Sequence, residues 1–198
     1  MDRVVNNESA APRQIKLDKL VLFSTLGFPG SGKTYFAKKF AKELNVFHLN
    51  SDRVRLEIFP NAKYTPEEHL VIFRVMDFIA EELLNHGVSV IYDANSTKRV
   101  YRDRLRKIAK QAGAKYVLLW FQTPVEIALK RIQKRTGFKT ERMKKYHRPT
   151  NESVLHHIRG EEEAPSNTEF HIVVDGKKLY KTQVNEVLKS LTSRWGGQ

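Results

Sequence analysis

The chain has no cysteine. That excludes disulfides and thiolate metal sites, and it removes the usual mark of an exported scaffold. No apolar run approaches the roughly 18 residues that a membrane-crossing helix needs. Residues 1–17 mix polar and charged side chains with no apolar centre, so they read as a flexible tail and not as a signal peptide. The cytoplasm is the expected location. With 10 glycines and 7 prolines in 198 residues there is no low-complexity linker and no repeat. One domain over 18–193 is expected, with a short C-terminal tail at 194–198. Acids are scarce in one region. From Lys98 to Arg148 there are 17 Lys or Arg against Asp103, Glu126 and Glu141, a surplus of 14 in a chain of net charge +13. A local basic field of this kind attracts polyanions, whether nucleotides, nucleic acid or phosphorylated small molecules.

What is present is a glycine cluster with order in it. Gly27-Phe28-Pro29-Gly30-Ser31-Gly32-Lys33-Thr34 is a complete G-x-x-x-x-G-K-[ST] sequence. It follows the apolar run Leu20–Leu26, which reads as a buried strand. It precedes Tyr35 to Leu44, where apolar residues recur at helical spacing. Strand, glycine loop and helix together make this a phosphate loop. Glycines let consecutive N–H groups turn inward, and the helix start adds donors and a positive dipole end. Gly27, Gly30, Ser31 and Gly32 are then the cradle. Lys33 supplies a point charge for the β- and γ-phosphates, and the Thr34 hydroxyl is a ligand for Mg²⁺. ATP and Mg²⁺ are the implied cofactors.

Further strands read at Val46–Asn50, Val88–Asp93, Lys115–Gln122 and Phe170–Asp175. Helices read at 66–86, 97–112, from Pro124 onward, 150–159 and 180–191. The segment 135–148 reads as a basic lid, and Glu161-Glu162-Glu163 as a solvated loop. Strands alternating with helices predict a three-layer α/β fold with a five-stranded parallel sheet. Ligands of such sheets sit at the carboxyl ends of the strands. The glycine loop, Asp52 and Asp93 fall at three such ends, so they are expected in one site.

Four blocks in order, over roughly 20–175, resemble a known family: small phosphate-loop kinases of the polynucleotide 5′-hydroxyl kinase type, with zeta-toxin-like and gluconate-kinase-like relatives. The blocks are the glycine loop, Asp52-Arg53-Val54-Arg55, Asp93-Ala94-Asn95, and Arg131-Ile132-Gln133-Lys134-Arg135. The resemblance implies a nucleoside-kinase-like fold with a helical lid. It implies transfer of the γ-phosphoryl group of ATP to a hydroxyl, with the 5′-hydroxyl of a polynucleotide as first choice of acceptor. A small-molecule acceptor such as a sugar, sugar acid or nucleotide-sugar is the alternative. A nucleic-acid-binding regulatory ATPase is the alternative of another class.

By the same resemblance Asp52 is the general base and Arg55 a clamp on an acceptor phosphate. Arg135 is the lid arginine that stabilises the transferring group, with Arg131 beside it on the nucleotide. Asp93 orients the acceptor or a metal-bound water, and Asn95 contacts the acceptor. Bland roles stand beside these. Asp52 suits a helix cap, Arg55 a pairing with a carboxylate, and Asp93 a structural bond to Thr34. Arg99, Arg142 and Arg148 are further basic residues of the cleft or lid, and Tyr64 is a base-stacking candidate. His156 and His157 are adjacent, which does not suit a metal pair. The oligomeric state is not readable.

Overall fold

The computed structural model describes residues 17–137 and 150–195, with only the backbone at 135–137. The five strands are β1 (Val21–Leu26), β2 (Phe47–Asn50), β3 (Val90–Asp93), β4 (Lys115–Gln122) and β5 (His171–Asp175). They lie in the order β2-β3-β1-β4-β5, all parallel. The helices are α1 (Lys33–Leu44), α2 (Ser51–Ile58), α3 (Pro66–Asn85), α4 (Arg99–Gln111), α5 (Val125–Gly137), α6 (Glu152–Gly160) and α7 (Tyr180–Trp195).

Both faces of the sheet are covered, which is why β1 and β3 are buried at every position. Val21 and Phe23 of β1 point to one face with Ile91, Val117 and Leu119, and pack on Phe36 and Phe40 of α1 and Val184 and Val187 of α7. Leu22, Val90 and Tyr92 point to the other face, against Ile72 and Met76 of α3 and Leu105 of α4. This is the period-two alternation of a strand made visible by burial. A third cluster joins Phe28 of the glycine loop to Ala128 and Ile132 of α5 and Leu155 and Ile158 of α6. The helices on either side of 138–149 are therefore docked on the loop itself. No helix among the described residues is long and apolar enough to cross a membrane.

Several boundaries move for local reasons. α2 begins at Ser51, because the Asn50 side chain accepts from the Arg53 N–H and caps it. α3 is capped by Thr65 with Pro66 in its first turn. It ends as Gly87 and Val88 return their N–H groups to Leu84 and Leu83, which leaves β3 to start at Val90. α7 runs four residues past Leu191 to Trp195, into the stretch expected as tail. Glu161-Glu162-Glu163 is the loop expected, with Glu161 and Glu163 exposed, and it also makes specific contacts. Glu163 accepts from the Arg99 N–H and donates its own N–H to the Thr97 carbonyl, while Glu162 accepts from the Trp120 indole. The triple is a clamp on the loop after β3.

Candidate active site

The order of the sheet reverses at β1, which opens a crevice at the carboxyl ends of the strands. The loop after β1 carries the glycine motif. The α2 start after β2 carries Asp52, and the end of β3 carries Asp93. Since β2, β3 and β1 are neighbours, these three groups fall at adjacent carboxyl ends of the sheet.

The donor half is mostly backbone. Gly30 has φ +81°, and a Cβ there would sit 2.6 Å from the Ala128 carbonyl oxygen, so only glycine fits. Gly32 has φ +106° and caps α1 with no side-chain bond and no acid in the first turn. The positive end of a 12-residue helix and its first N–H groups are thereby left for an anion. The Lys33 ammonium curls back over the loop and donates to the carbonyls of Gly27 and Phe28, the latter at 3.1 Å. The Ser31 hydroxyl is buried without a hydrogen-bond partner, an orphan that a ligand oxygen would satisfy. Arg131 reaches from α5 to the Gly30 carbonyl at 3.3 Å and the Gly176 carbonyl at 2.7 Å. Beside it lies a cavity of about 300 Å³ lined by Ser31, Gly32, Tyr35, Arg131, Gly176 and Tyr180 among others.

Thr34 and Asp93 meet where the two halves join. The Thr34 hydroxyl donates to Asp93 Oδ1 at 3.3 Å. Asp93 Oδ2 takes His48 Nε2 at 2.9 Å and Asn50 Nδ2 at 2.7 Å. His48 and Asn50 escaped the sequence reading. Their signal was present as alternate positions of β2, paired in register with Ile91 and Asp93.

Around Asp52 the crevice is bordered by a side-chain network. Asp52 sits half-buried in the first turn of α2, where Asn50 and not Asp52 is the cap. Arg55 is buried, and it donates to Glu68 Oε2 at 3.3 Å and meets His69 Nδ1 at 2.9 Å. Its guanidinium lies 4.9 Å from the centre of the Tyr64 ring, and Tyr64 itself has φ +59°. The charge expected to clamp a phosphate is thus engaged by Glu68. Glu68 also accepts from the N–H groups of Lys63 and Tyr64. The Lys63 N–H is the largest influence that holds the Glu68 carboxyl below its ordinary range, with Tyr64 and Arg55 adding to it against the rise from burial. Asn95 Oδ1 is buried with no hydrogen-bond partner. Arg135 lies on α5 with its side chain outside the described set, and Arg142 and Arg148 lie outside the described residues. His156 and His157 face solvent, each beside an acid one turn away.

A family profile described as "AAA domain" matches residues 22–153. The chain belongs to this family of P-loop kinases. A probable adenylyl-sulfate kinase of Archaeoglobus fulgidus is 31% identical over 77% of this chain and 93% of its own length. A probable adenylyl-sulfate kinase of Aeropyrum pernix is 28% identical over 58% of this chain, which spans only 66% of that relative. The crystal structure of a gluconokinase from Sinorhizobium meliloti superposes with TM-score 0.62 at 19% identity, over 90% of this chain and 94% of that one.

P-loop kinases use ATP with Mg²⁺, and the residues here suit both. The orphaned Ser31 hydroxyl and the uncapped α1 start fit phosphate oxygens. Among the described residues no group of three or more His, Cys, Asp or Glu forms a metal cage. Mg²⁺ beside a nucleotide needs none, since it takes phosphate oxygens, waters and one or two protein oxygens. Thr34 and Asp93 offer those.

The basic field looks different in three dimensions. Arg102 is wholly buried against Glu169 at 2.7 Å. Arg104 pairs with Asp77, Arg99 and Arg106 with Asp103, and Lys98 with Glu161. Arg102 and Arg104 are met by acids from outside the stretch 98–148, whereas Asp103 already belongs to it, so the field is reduced in part and the case for a long polyanion track is weakened.

Proposed function

We propose that this P-loop kinase transfers the γ-phosphoryl group of ATP to a hydroxyl of a small-molecule acceptor held between α2, α3 and the loop after β3. The observation that carries it is the meeting of Thr34 with Asp93 between a backbone cradle and the Asp52 helix. The relatives named as adenylyl-sulfate kinases, and the structural neighbour named as a gluconokinase, support an acceptor of this size. The pairing of α4 arginines with acids weakens the support for a polynucleotide 5′-hydroxyl, the first expectation, and the names of these relatives favour the small-molecule alternative.

Phosphoryl transfer needs little covalent chemistry from the protein, so positioning and charge do most of it. Thr34 and Asp93 would hold Mg²⁺, directly or through water, and the ion would supply positive charge against the phosphates. The first turn of α1 and Lys33 bind the phosphates and stabilise the negative charge of the moving group. Arg131 anchors α5 to the loop, and Arg135, four residues on in the same helix, is assigned the further cation. The cavity beside Arg131, Tyr35 and Tyr180 takes the base. Asp52 accepts the proton of the acceptor hydroxyl as its oxygen bonds to the γ-phosphorus and the bond to the β-phosphate oxygen breaks. ADP leaves with the displaced pair of electrons. Asn95, with its unmet carbonyl oxygen, takes a donor of the acceptor. Arg55 shapes this pocket from behind through Glu68, His69 and Tyr64.

The test is radiolabel transfer from ATP to a panel of adenylyl sulfate, gluconate-type sugar acids, simple sugars and 5′-hydroxyl oligonucleotides. Label on one small acceptor is expected. Label on the oligonucleotides alone would restore the polynucleotide reading. ATP hydrolysis stimulated by nucleic acid, with no label on any hydroxyl, would favour the regulatory ATPase.

A further inference from the structure

We propose that Asn50 is a positioning residue that ties the metal-side carboxylate of Asp93 to the start of the helix carrying Asp52, with His48 as second anchor of the same carboxylate. The inference rests on the reading of Gly27–Thr34 as a site for Mg²⁺ and nucleotide.

Asn50 is the last residue of β2 and stands opposite Asp93, the last residue of β3. It is 7% exposed and Asp93 is 2% exposed. Both ends of its amide are spent on different halves of the crevice. Oδ1 accepts from the Arg53 N–H at 3.0 Å and so caps α2. Nδ2 donates to Asp93 Oδ2 at 2.7 Å. These two bonds fix the orientation of the amide, since neither survives a flip. His48, two residues earlier on the same side of β2, donates from Nε2 to that same Oδ2 at 2.9 Å. One oxygen of Asp93 is therefore pinned by two donors, and Oδ1 is left turned toward the Thr34 hydroxyl.

Partners of this sort set the direction in which a ligating carboxylate points. A buried carboxylate that loses a donor turns toward another, and here the turn would carry Oδ1 away from Thr34. Since Asn50 also caps α2, a shift of Asp93 and a shift of Asp52 are mechanically linked. Misplacement by about 1 Å is enough to cost on the order of a hundredfold in a positioned reaction. A residue that only capped α2 would have no reason to report on the metal.

Substitutions separate the two roles. Asn50→Ser keeps a capping oxygen and is too short to reach Asp93. Asn50→Asp keeps the cap and sets a second carboxylate against the first. His48→Ala removes a donor without touching α2, and His48→Gln restores an amide donor. The full chain is titrated calorimetrically with a non-hydrolysable ATP analogue, in EDTA and in saturating Mg²⁺. Wild type is expected to bind more tightly with Mg²⁺. N50S and H48A are expected to lose about tenfold of that gain, the size of one charge-assisted hydrogen bond, with affinity in EDTA held within about twofold. H48Q is expected to recover most of it. Hydrogen exchange at the first turn of α2 is expected to slow on addition of Mg²⁺ and analogue in wild type, and not in N50S or N50D.

Losses equal in EDTA and Mg²⁺, a full Mg²⁺ gain in N50S and H48A, or an unchanged exchange response in N50S would each overturn the proposal. A wild type that gains nothing from Mg²⁺ would instead sink the donor-site reading beneath it. If N50S melts too early to titrate, the H48A and H48Q pair decides.

Discussion

Around Gly27–Thr34 the ligand side is built mainly of main-chain N–H groups with the Ser31 and Thr34 hydroxyls, whereas around Asp52 it is built of side chains tied to one another. The donor half holds its shape through φ angles that only glycine adopts freely and through a close approach to the Ala128 carbonyl. The acceptor half holds its shape through Arg55, Glu68, His69 and Tyr64, which come from α2, α3 and the loop between them. A backbone cradle suits the part of the substrate common to a whole family. A side-chain network suits the part that differs, because one substitution re-shapes it without disturbing the strand below.

The largest expected effect lies in the frame of the acceptor half. Arg102 holds the Ser96 and Thr97 carbonyls as well as Glu169, with both charged side chains fully buried. Arg102→Ala leaves Glu169 buried and unpaired, and is expected to lower unfolding stability in urea by about 3–5 kcal/mol. A small loss would mean that the loop after β3 is held by the Glu161–Glu163 clamp instead. Gly30→Ala comes next. The new methyl meets backbone and the φ is unfavourable, so a stability loss of about 1–3 kcal/mol is expected, together with weakened nucleotide binding. Full nucleotide affinity in this variant would break the contrast, since the donor half would then tolerate a side chain where backbone is supposed to set it.

Glu68→Gln is the smallest effect and the most specific to the acceptor half. The Glu68 carboxyl titrates below its ordinary 4.5 in the folded chain, chiefly because the Lys63 N–H bonds its charged form. A lowered folded value means the stabilisation is present above the unfolded value and fades as pH falls through the folded one. The stability deficit of E68Q should therefore be seen at neutral pH and close on acidification below about 4.5. A deficit constant with pH would show that Glu68 acts by shape and not by charge.

This contrast also governs what was legible in the sequence. The glycine loop, Asp52 and Asp93 were readable because a glycine pattern and a carboxylate at a strand end keep their meaning wherever the chain goes. The sheet followed from five apolar runs separated by helical ones. That Arg55 pairs with a carboxylate was one of its two expected roles, but its partners were not readable, because Glu68 and His69 reach it only once α3 docks against α2. Arg102 and Glu169 are 67 positions apart, so a count of charges along 98–148 could not show that the field is partly cancelled within the fold. Asn50 looked like an ordinary strand residue; its cap on α2 is a local bond, and its bond to Asp93 arises only when β2 pairs with β3 in register.

The most direct test of a donor half that binds and an acceptor half that reacts is a paired measurement on wild type and Asp52→Asn. Affinity for Mg²⁺ and ATP is measured by calorimetry, and single-turnover label transfer is measured on whichever acceptor the panel identifies. Affinity within about twofold of wild type and transfer slowed by at least about a hundredfold are expected, the loss of a general base without loss of the cradle. Unchanged transfer, or affinity falling in step with transfer, would contradict the division of the crevice into these two halves.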